Sequence, residues 1–180
     1  MRVIAGQWGG RTLVSPPGGT TRPTADRTRE ALFSMLVSRI GSFEGLTIAD
    51  FFAGTGALGL EALSRGAARC TFVEQDRVAL DALRTNVAAL GATADIRAQS
   101  VSAIGAAARP CDLLLFDPPY HSGGGGALIE RLTRLGWAAP GAWASVETAS
   151  DESVSAKGWS IDAERTYAKA KLTLLRAEAE

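Results

Sequence analysis

Residues 50–59, Asp50-Phe-Phe-Ala-Gly-Thr-Gly-Ala-Leu-Gly59, lead from the end of an apolar strand through a glycine turn into a helix, and the fold hangs on how they are read. The strand is Thr47 to Phe52; a helix then runs from Ala57 to Arg65, where Gly66 stops it. Glycines in such a turn let the backbone pass close to a ligand, and the first turn of the helix offers it unpaired N–H groups. Gly54, Gly56 and Gly59 also satisfy the GxGxxG spacing, and Glu74 ends the next strand twenty residues after Gly54, so a dinucleotide site has to be weighed. Asp50 speaks against it. A carboxylate four residues ahead of the first glycine would face the pyrophosphate, and like charges in a partly desolvated cleft repel. The same carboxylate suits a ligand that carries an ammonium group. S-adenosyl-L-methionine has one, has no phosphate, and has a ribose diol from which a strand-end glutamate such as Glu74 can accept two hydrogen bonds. A nucleotide site and a purely structural turn stay open at this point.

Outward from this stretch the chain alternates strands and helices. Cys70 to Glu74 is a strand, Arg77 to Leu90 a helix ended by Gly91, and a weaker strand near Ile96 precedes a short helix near Ala103. Asp112 to Phe116 is a strong strand, Gly126 to Leu135 a helix and Trp143 to Glu147 a strand. Trp159 to Arg165 and Lys171 to Leu175 close the chain as an antiparallel pair. Such alternation means an α/β fold, a parallel sheet with helices on both faces. Ligands of these sheets bind beyond the carboxyl ends of the strands, where the strand order reverses.

Asp117-Pro118-Pro119-Tyr120 follows the strong strand and so reaches the same sheet edge as Asp50 and Glu74. Two prolines have no N–H to donate and hold the backbone extended, leaving carbonyl oxygens to face the cleft. Methylation of an amino group conjugated with a ring needs this arrangement. Such a nitrogen is a poor nucleophile because its lone pair is delocalised. Asp117 and the Pro118 carbonyl can each accept one of its N–H groups and turn the lone pair toward a methyl donor, while Tyr120 stacks on the ring. In-line alignment of the two reactants lowers the barrier, and the acceptors stabilise the positive charge that grows on nitrogen. His121, next in the chain, is not required as a base, because the amine proton can leave to water after the transfer.

The front of the chain is different in kind. Val3 to Ala5 and Thr12 to Val14 bracket Gly6, Gly9 and Gly10 as a small hairpin, and Ser15 to Thr21 excludes regular structure. Thr24 then offers an N-cap for a helix carrying Leu32, Phe33, Leu36, Val37 and Ile40 until Gly41. The chain has 180 residues, 46% of them hydrophobic, and its 19 basic residues cancel 19 acidic ones. That suits one soluble domain. Yet the first 40 residues hold six arginines (Arg2, Arg11, Arg22, Arg27, Arg29, Arg39) against Asp26 and Glu30, a local excess of four. Arginine's planar fork suits phosphates and bases, so a nucleic-acid partner stays open beside the plainer reading of a solvated helix face and hairpin. Trp8, in the glycine-rich turn of this basic hairpin, is either packed or an exposed indole able to stack on a nucleic-acid base, whereas Trp137, Trp143 and Trp159 belong to the core or its rim. Cys70, Cys111 and the single His121 argue against a metal site, and two lone thiols fit a reducing cytosol. The longest uncharged runs span 12 residues, short of the roughly 18 a membrane helix needs, and Met1 opens no signal peptide.

Taken together these residues resemble a known family, the bacterial 16S rRNA (guanine-N2)-methyltransferases called RsmD, a branch of the class I S-adenosylmethionine-dependent enzymes. The matching segments are Arg2 to Gly6 with Gly10-Arg11, Arg22 to Glu30 with Leu32-Phe33, Asp50 to Ala67, Phe72-Val73-Glu74, and Asp117 to Tyr120. The front segment separates this branch from other enzymes that share the tetrad. The resemblance implies a Rossmann-like fold with a mostly parallel seven-stranded sheet and an antiparallel C-terminal strand. It implies an RNA-contacting hairpin and helix appendage over residues 1–41 and a methyltransferase domain over residues 42–180. Asp50, Ala53, Gly54, Gly56, Glu74, Ser100, Val101 and Asp117 would hold S-adenosyl-L-methionine, and Asp117 to Tyr120 the base. Arg2, Trp8, Arg11, Arg22, Thr24, Arg27 and Arg29 would meet the RNA. Where the family often carries Asn or Asp after the third strand, for the adenine amino group, this chain has Ser100, and Gly123 to Gly126 reads as a mobile flap over the target base. The expected protein is a monomeric, cytoplasmic enzyme without metal, methylating a guanine N2 of 16S rRNA in an assembled or assembling small subunit. Its rivals are an amino-methyltransferase acting on adenine in DNA or RNA, a non-catalytic RNA-binding assembly factor, and an NAD-type oxidoreductase.

Overall fold

The computed structural model describes residues 1–17, 23–123 and 125–179. In chain order the strands are β1 (Thr47–Phe51), β2 (Arg69–Glu74), β3 (Asp95–Ala98), β4 (Cys111–Phe116), β5 (Ala138–Ala149), β6 (Trp159–Tyr167) and β7 (Ala170–Ala177). The helices are α1 (Pro23–Ile40), α2 (Ala57–Ser64), α3 (Arg77–Leu90) and α4 (Gly126–Arg134). All seven strands form one sheet in the order β3-β2-β1-β4-β5-β7-β6. The first five are parallel to their neighbours, and β7 runs antiparallel between β5 and β6. This is a Rossmann-like sheet with one antiparallel strand near its carboxyl-terminal edge. Strand order reverses between β1 and β4, so the loops that follow these two strands part and leave a crevice at their carboxyl ends. Both sequence motifs end there.

Local chemistry accounts for the element ends. α3 occupies the residues read from the sequence because both its termini carry strong signals: the Asp76 carboxylate accepts from Ala79 N at 2.9 Å, and Gly91 closes the helix at φ 64°. α1 already includes Pro23, so Thr24 lies inside the helix and is not its N-cap; a proline's fixed φ suits the first helical position. β5 begins at Ala138, five residues before the expected start, and runs through Pro140 and Gly141. A register shift in its pairing with β4, between Cys111 and Leu113, absorbs three extra residues of β5 in the stretch that holds Pro140 and Gly141.

The sheet is covered on both faces. One holds Ala49, Phe51, Val73, Leu114 and Phe116 against Ile129, Leu132, Trp137 and Trp159. Trp143 is half-buried under the Arg176 guanidinium, 5.0 Å from its ring centre. The other face packs Ile48, Phe72, Leu113 and Leu172 with Leu60 of α2 and with Leu32, Phe33 and Leu36 of α1. Phe33 and Leu36 have no exposed surface, and burying such a side chain stabilises the fold by about 1.5–3 kcal/mol. The boundary expected between residues 41 and 42 therefore runs through a shared core, and α1 is a layer of the main body rather than an appendage. Among the described residues no helix is long and apolar enough to cross a membrane.

Candidate active site

Asp50 on β1 pairs in register with Leu115 on β4, and Leu115 with Ser145 on β5, so the three side chains share one sheet face. Two residues on, Asp117 and Glu147 continue that face past the strand ends. Asp50, Asp117, Ser145 and Glu147 border a cavity of about 270 Å³ whose opposite wall is α1, through Asp26, Thr28, Arg29 and Leu32.

Asp50 does two things there. Its Oδ2 accepts from Gly59 N at 2.9 Å. Gly59 is the third residue of α2, a helix whose N-cap, Gly56, supplies no side-chain acceptor. The strand carboxylate therefore caps the helix from the side and occupies the anion position that a pyrophosphate would take. The dinucleotide reading loses its site. Oδ1, in contrast, is buried without a partner. Burial, opposed by the Gly59 bond and reinforced by nearby Glu74, pushes the Asp50 carboxyl up to about 8. A buried acceptor left unpaired at a cavity wall is built for a cationic donor.

The glycine turn divides its labour. Gly54 and Ala53 border the cavity, and Gly54 N donates to Glu74 Oε1 at 2.8 Å. Gly56 faces the core instead: a Cβ there would stand 2.4 Å from Leu83 Cδ1, so it positions the turn and does not touch the cavity. Phe52, bulky and at φ 61°, borders the cavity in a left-handed conformation, which costs about 1–3 kcal/mol and marks the turn as held by its surroundings. Glu74, Ser100 and Val101 lie outside this cavity. The Glu74 carboxylate also accepts from Gln75 N and Asp76 N, at 2.9 and 2.8 Å. Ser100 Oγ caps the single turn Val101–Ala103, accepting from Ser102 N at 3.2 Å, and the Val101 side chain enters the core of the opposite face.

Past β4, Phe116 pairs with Val146, which sets Asp117 beside Glu147. Asp117 meets solvent at the cleft mouth but is walled by protein. That crowding, with the charge and hydrogen bond of Glu147, holds its carboxyl well above the usual carboxylate range. Tyr120 OH donates to Glu147 Oε1 at 3.2 Å. Desolvation and then the Glu147 charge push the phenol up to about 12. A second cavity, about 380 Å³, adjoins on the far side and is bordered by Thr28, Tyr120, Glu147, Tyr167 and Lys169. Pro118 is buried and Pro119 exposed, and the Pro119 carbonyl accepts from Ser122 Oγ at 2.5 Å. His121, exposed and 3.9 Å from Asp151, borders neither cavity.

The chain matches a family model described as "Conserved hypothetical protein 95" over residues 1–176. Ribosomal RNA small subunit methyltransferase D of Escherichia coli strain K12 is 36% identical over 184 residues, 100% of this chain and 91% of that protein. Its namesake from Haemophilus influenzae is 34% identical over 174 residues, 92% and 88% of the two chains. The solved structure of the Escherichia coli protein yhhF superposes with a TM-score of 0.84 at 36% identity, covering 100% of this chain and 99% of that one. The chain belongs to the RsmD family.

Of the seven residues that the RsmD resemblance assigns to RNA, Arg2, Arg11 and Arg27 are exposed, and Arg11 is steadied by donating to Ala89 O at 2.9 Å. Arg29 is not on that surface. It is 6% exposed, borders the cavity, and donates to the Arg2 carbonyl and, at 3.5 Å, to Asp26, leaving Nε unpaired. Burial pulls its pKa down, against the nearby acids Glu61 and Asp26. Trp8 is half-buried against the main core. The reason is the hairpin's anchorage: Trp8 N and Gln7 N donate to Ser64 Oγ and O at 3.0 and 2.8 Å. Arg22 and the Thr24 side chain lie outside the described residues, as does Gly124 of the expected flap. Gly126 opens α4, where a Cβ would stand 2.0 Å from Ser155 O, so that end of the segment is packed. Glu147 and the α1 wall escaped the sequence reading. The signal for Glu147 was its place at the end of the strand next to β4, level with Asp117.

Proposed function

We propose that this chain transfers a methyl group from S-adenosyl-L-methionine to the exocyclic N2 amine of a guanine in 16S rRNA, acting as a monomer in the cytoplasm on an assembled or assembling small subunit. The observation that carries the reading is the unpaired, buried Asp50 Oδ1 in the same cavity as Asp117. When bound, S-adenosyl-L-methionine supplies an electrophilic methyl on a cationic sulfonium. Asp50 Oδ1 suits its ammonium group. Arg29, with Nε free on the same cavity's wall, suits its carboxylate, so both charges of the amino-acid end find partners. Glu74 at the end of β2 is the acceptor for the ribose. The relatives named as small-subunit rRNA methyltransferases support the substrate class.

Asp117 and the Pro118 carbonyl accept the N–H groups of the target amine and direct its lone pair at the methyl carbon. In the transfer the methyl–sulfur bond would break, its electron pair staying on sulfur, as the N–C bond forms, while the Asp117 carboxylate stabilises the charge on nitrogen, whose extra proton leaves to water. The guanine must leave its stack to arrive, at a cost of a few kcal/mol, and phosphate contacts from Arg2, Arg11, Arg22 and Arg27 offset this. Asp117→Ala is expected to lower methyl incorporation into small subunits by about 100-fold or more, with calorimetric affinity for S-adenosyl-L-methionine unchanged. Equal loss of both would move Asp117 into cofactor binding or folding.

A further inference from the structure

Glu147 has no task in that scheme, yet it stands where the two cavities meet, bordering both. Its Oε1 holds the Tyr120 hydroxyl, and the β4–β5 register sets its carboxyl beside that of Asp117. Among the described residues no Lys, Arg or His forms an ion pair with it. As carboxylates the two are a pair of acceptors side by side, and two adjacent donors satisfy both. The Watson–Crick edge of guanine carries such a pair, the N2 amine next to N1–H. Adenine offers an amine next to a bare N1 lone pair, which a carboxylate repels.

Resting on the guanine reading above, we propose that Glu147 accepts N1–H of the acceptor base while Asp117 takes its amine, with the base in the second cavity against Tyr120. Glu147 is then the residue that selects guanine over any base whose ring nitrogen beside the amine lacks hydrogen. A site built around such a hydrogen bond rejects the analogue without it, because the acceptor, cut off from water by the seated base, is left facing a lone pair.

The test compares methyl transfer to small subunits reconstituted with guanine or with 2-aminopurine at the methylated position. 2-Aminopurine keeps the amine but has no hydrogen on N1. Wild type is expected to favour guanine by about 100-fold or more in kcat/KM. Glu147→Gln, whose amide can donate to a bare N1, is expected to narrow that ratio at least about tenfold. Glu147→Ala, which removes the repulsion, narrows it too at lower overall rate and serves if the first variant does not fold. A ratio unchanged in the folded variants, or a wild type indifferent to the exchange, overturns the role of Glu147 while leaving guanine methylation intact. A wild type that leaves guanine itself unmethylated overturns the functional reading first and this inference with it.

Discussion

Asp50 and Glu61 are eleven residues apart, are 1% and 0% exposed, and do opposite work. Glu61, in the middle of α2, is saturated: it accepts from Ile4 N at 2.7 Å, Ala5 N at 3.0 Å and Arg65 Nε at 2.9 Å. These bonds fasten the amino-terminal hairpin to the body, aided by Asn86, which exchanges hydrogen bonds with the Val14 backbone at 2.7 and 3.0 Å. Asp50 makes one backbone bond and keeps an oxygen unpaired. Equal burial therefore says nothing about role. Satisfaction does: a saturated buried carboxylate holds structure, and an unsaturated one at a cavity wall waits for a ligand.

The largest effect is expected at Glu61. Glu61→Ala strands two backbone donors and Arg65, and is expected to lower unfolding free energy by about 3–5 kcal/mol in urea titration; an unchanged midpoint would show that the hairpin is held by other contacts. Asp50→Asn comes next, since it keeps an acceptor for Gly59 and removes the charge. Calorimetry is expected to show affinity for S-adenosyl-L-methionine falling about 10- to 100-fold, the scale of a hydrogen bond to a charged group.

The same variant sharpens the contrast through pH. The folded Asp50 carboxyl lies at about 8 against an ordinary 3.8, so its stabilising contribution is complete below about 4 and is lost as pH rises to about 8. Wild type should lose stability relative to Asp50→Asn across that window, by about 1.4 kcal/mol per pH unit at most, and no further above it. A gap that stays constant with pH would mean the carboxyl is not desolvated in the fold. The smallest effect separates two arginines on one helix. Arg27→Ala is expected to reduce the salt slope of rRNA binding by about 0.7–0.9, whereas Arg29→Ala leaves the slope alone and weakens cofactor binding. Equal slopes for both variants would erase the distinction that burial draws between them.

Much of this molecule could be read along the chain. Asp76 and Gly91 marked the ends of α3, the glycine turn and the proline tetrad fell at strand ends, and Asp50 was singled out as the carboxylate that spoils a phosphate site. The sequence predicts a shorter β5 because Pro140 and Gly141 look like breakers, and only its bulged pairing with β4 tolerates them. Trp8 is only half exposed although a glycine-rich turn looks open in sequence, because Ser64 and Glu61 clamp the backbone there.

Period, turn residues and caps are properties of neighbours in the chain, so strand and helix order and the two motifs could be had from one line of text. Which groups face one another is set by strand order, register and helix phase, which couple residues far apart in that line. Register put Glu147 of β5 beside Asp117 past β4, and the phase of α1 turned Arg29 toward the cavity and Arg27, two residues earlier, toward solvent. The cleft needed both, because a binding site is a set of side chains whose unpaired atoms meet only once the layers are packed.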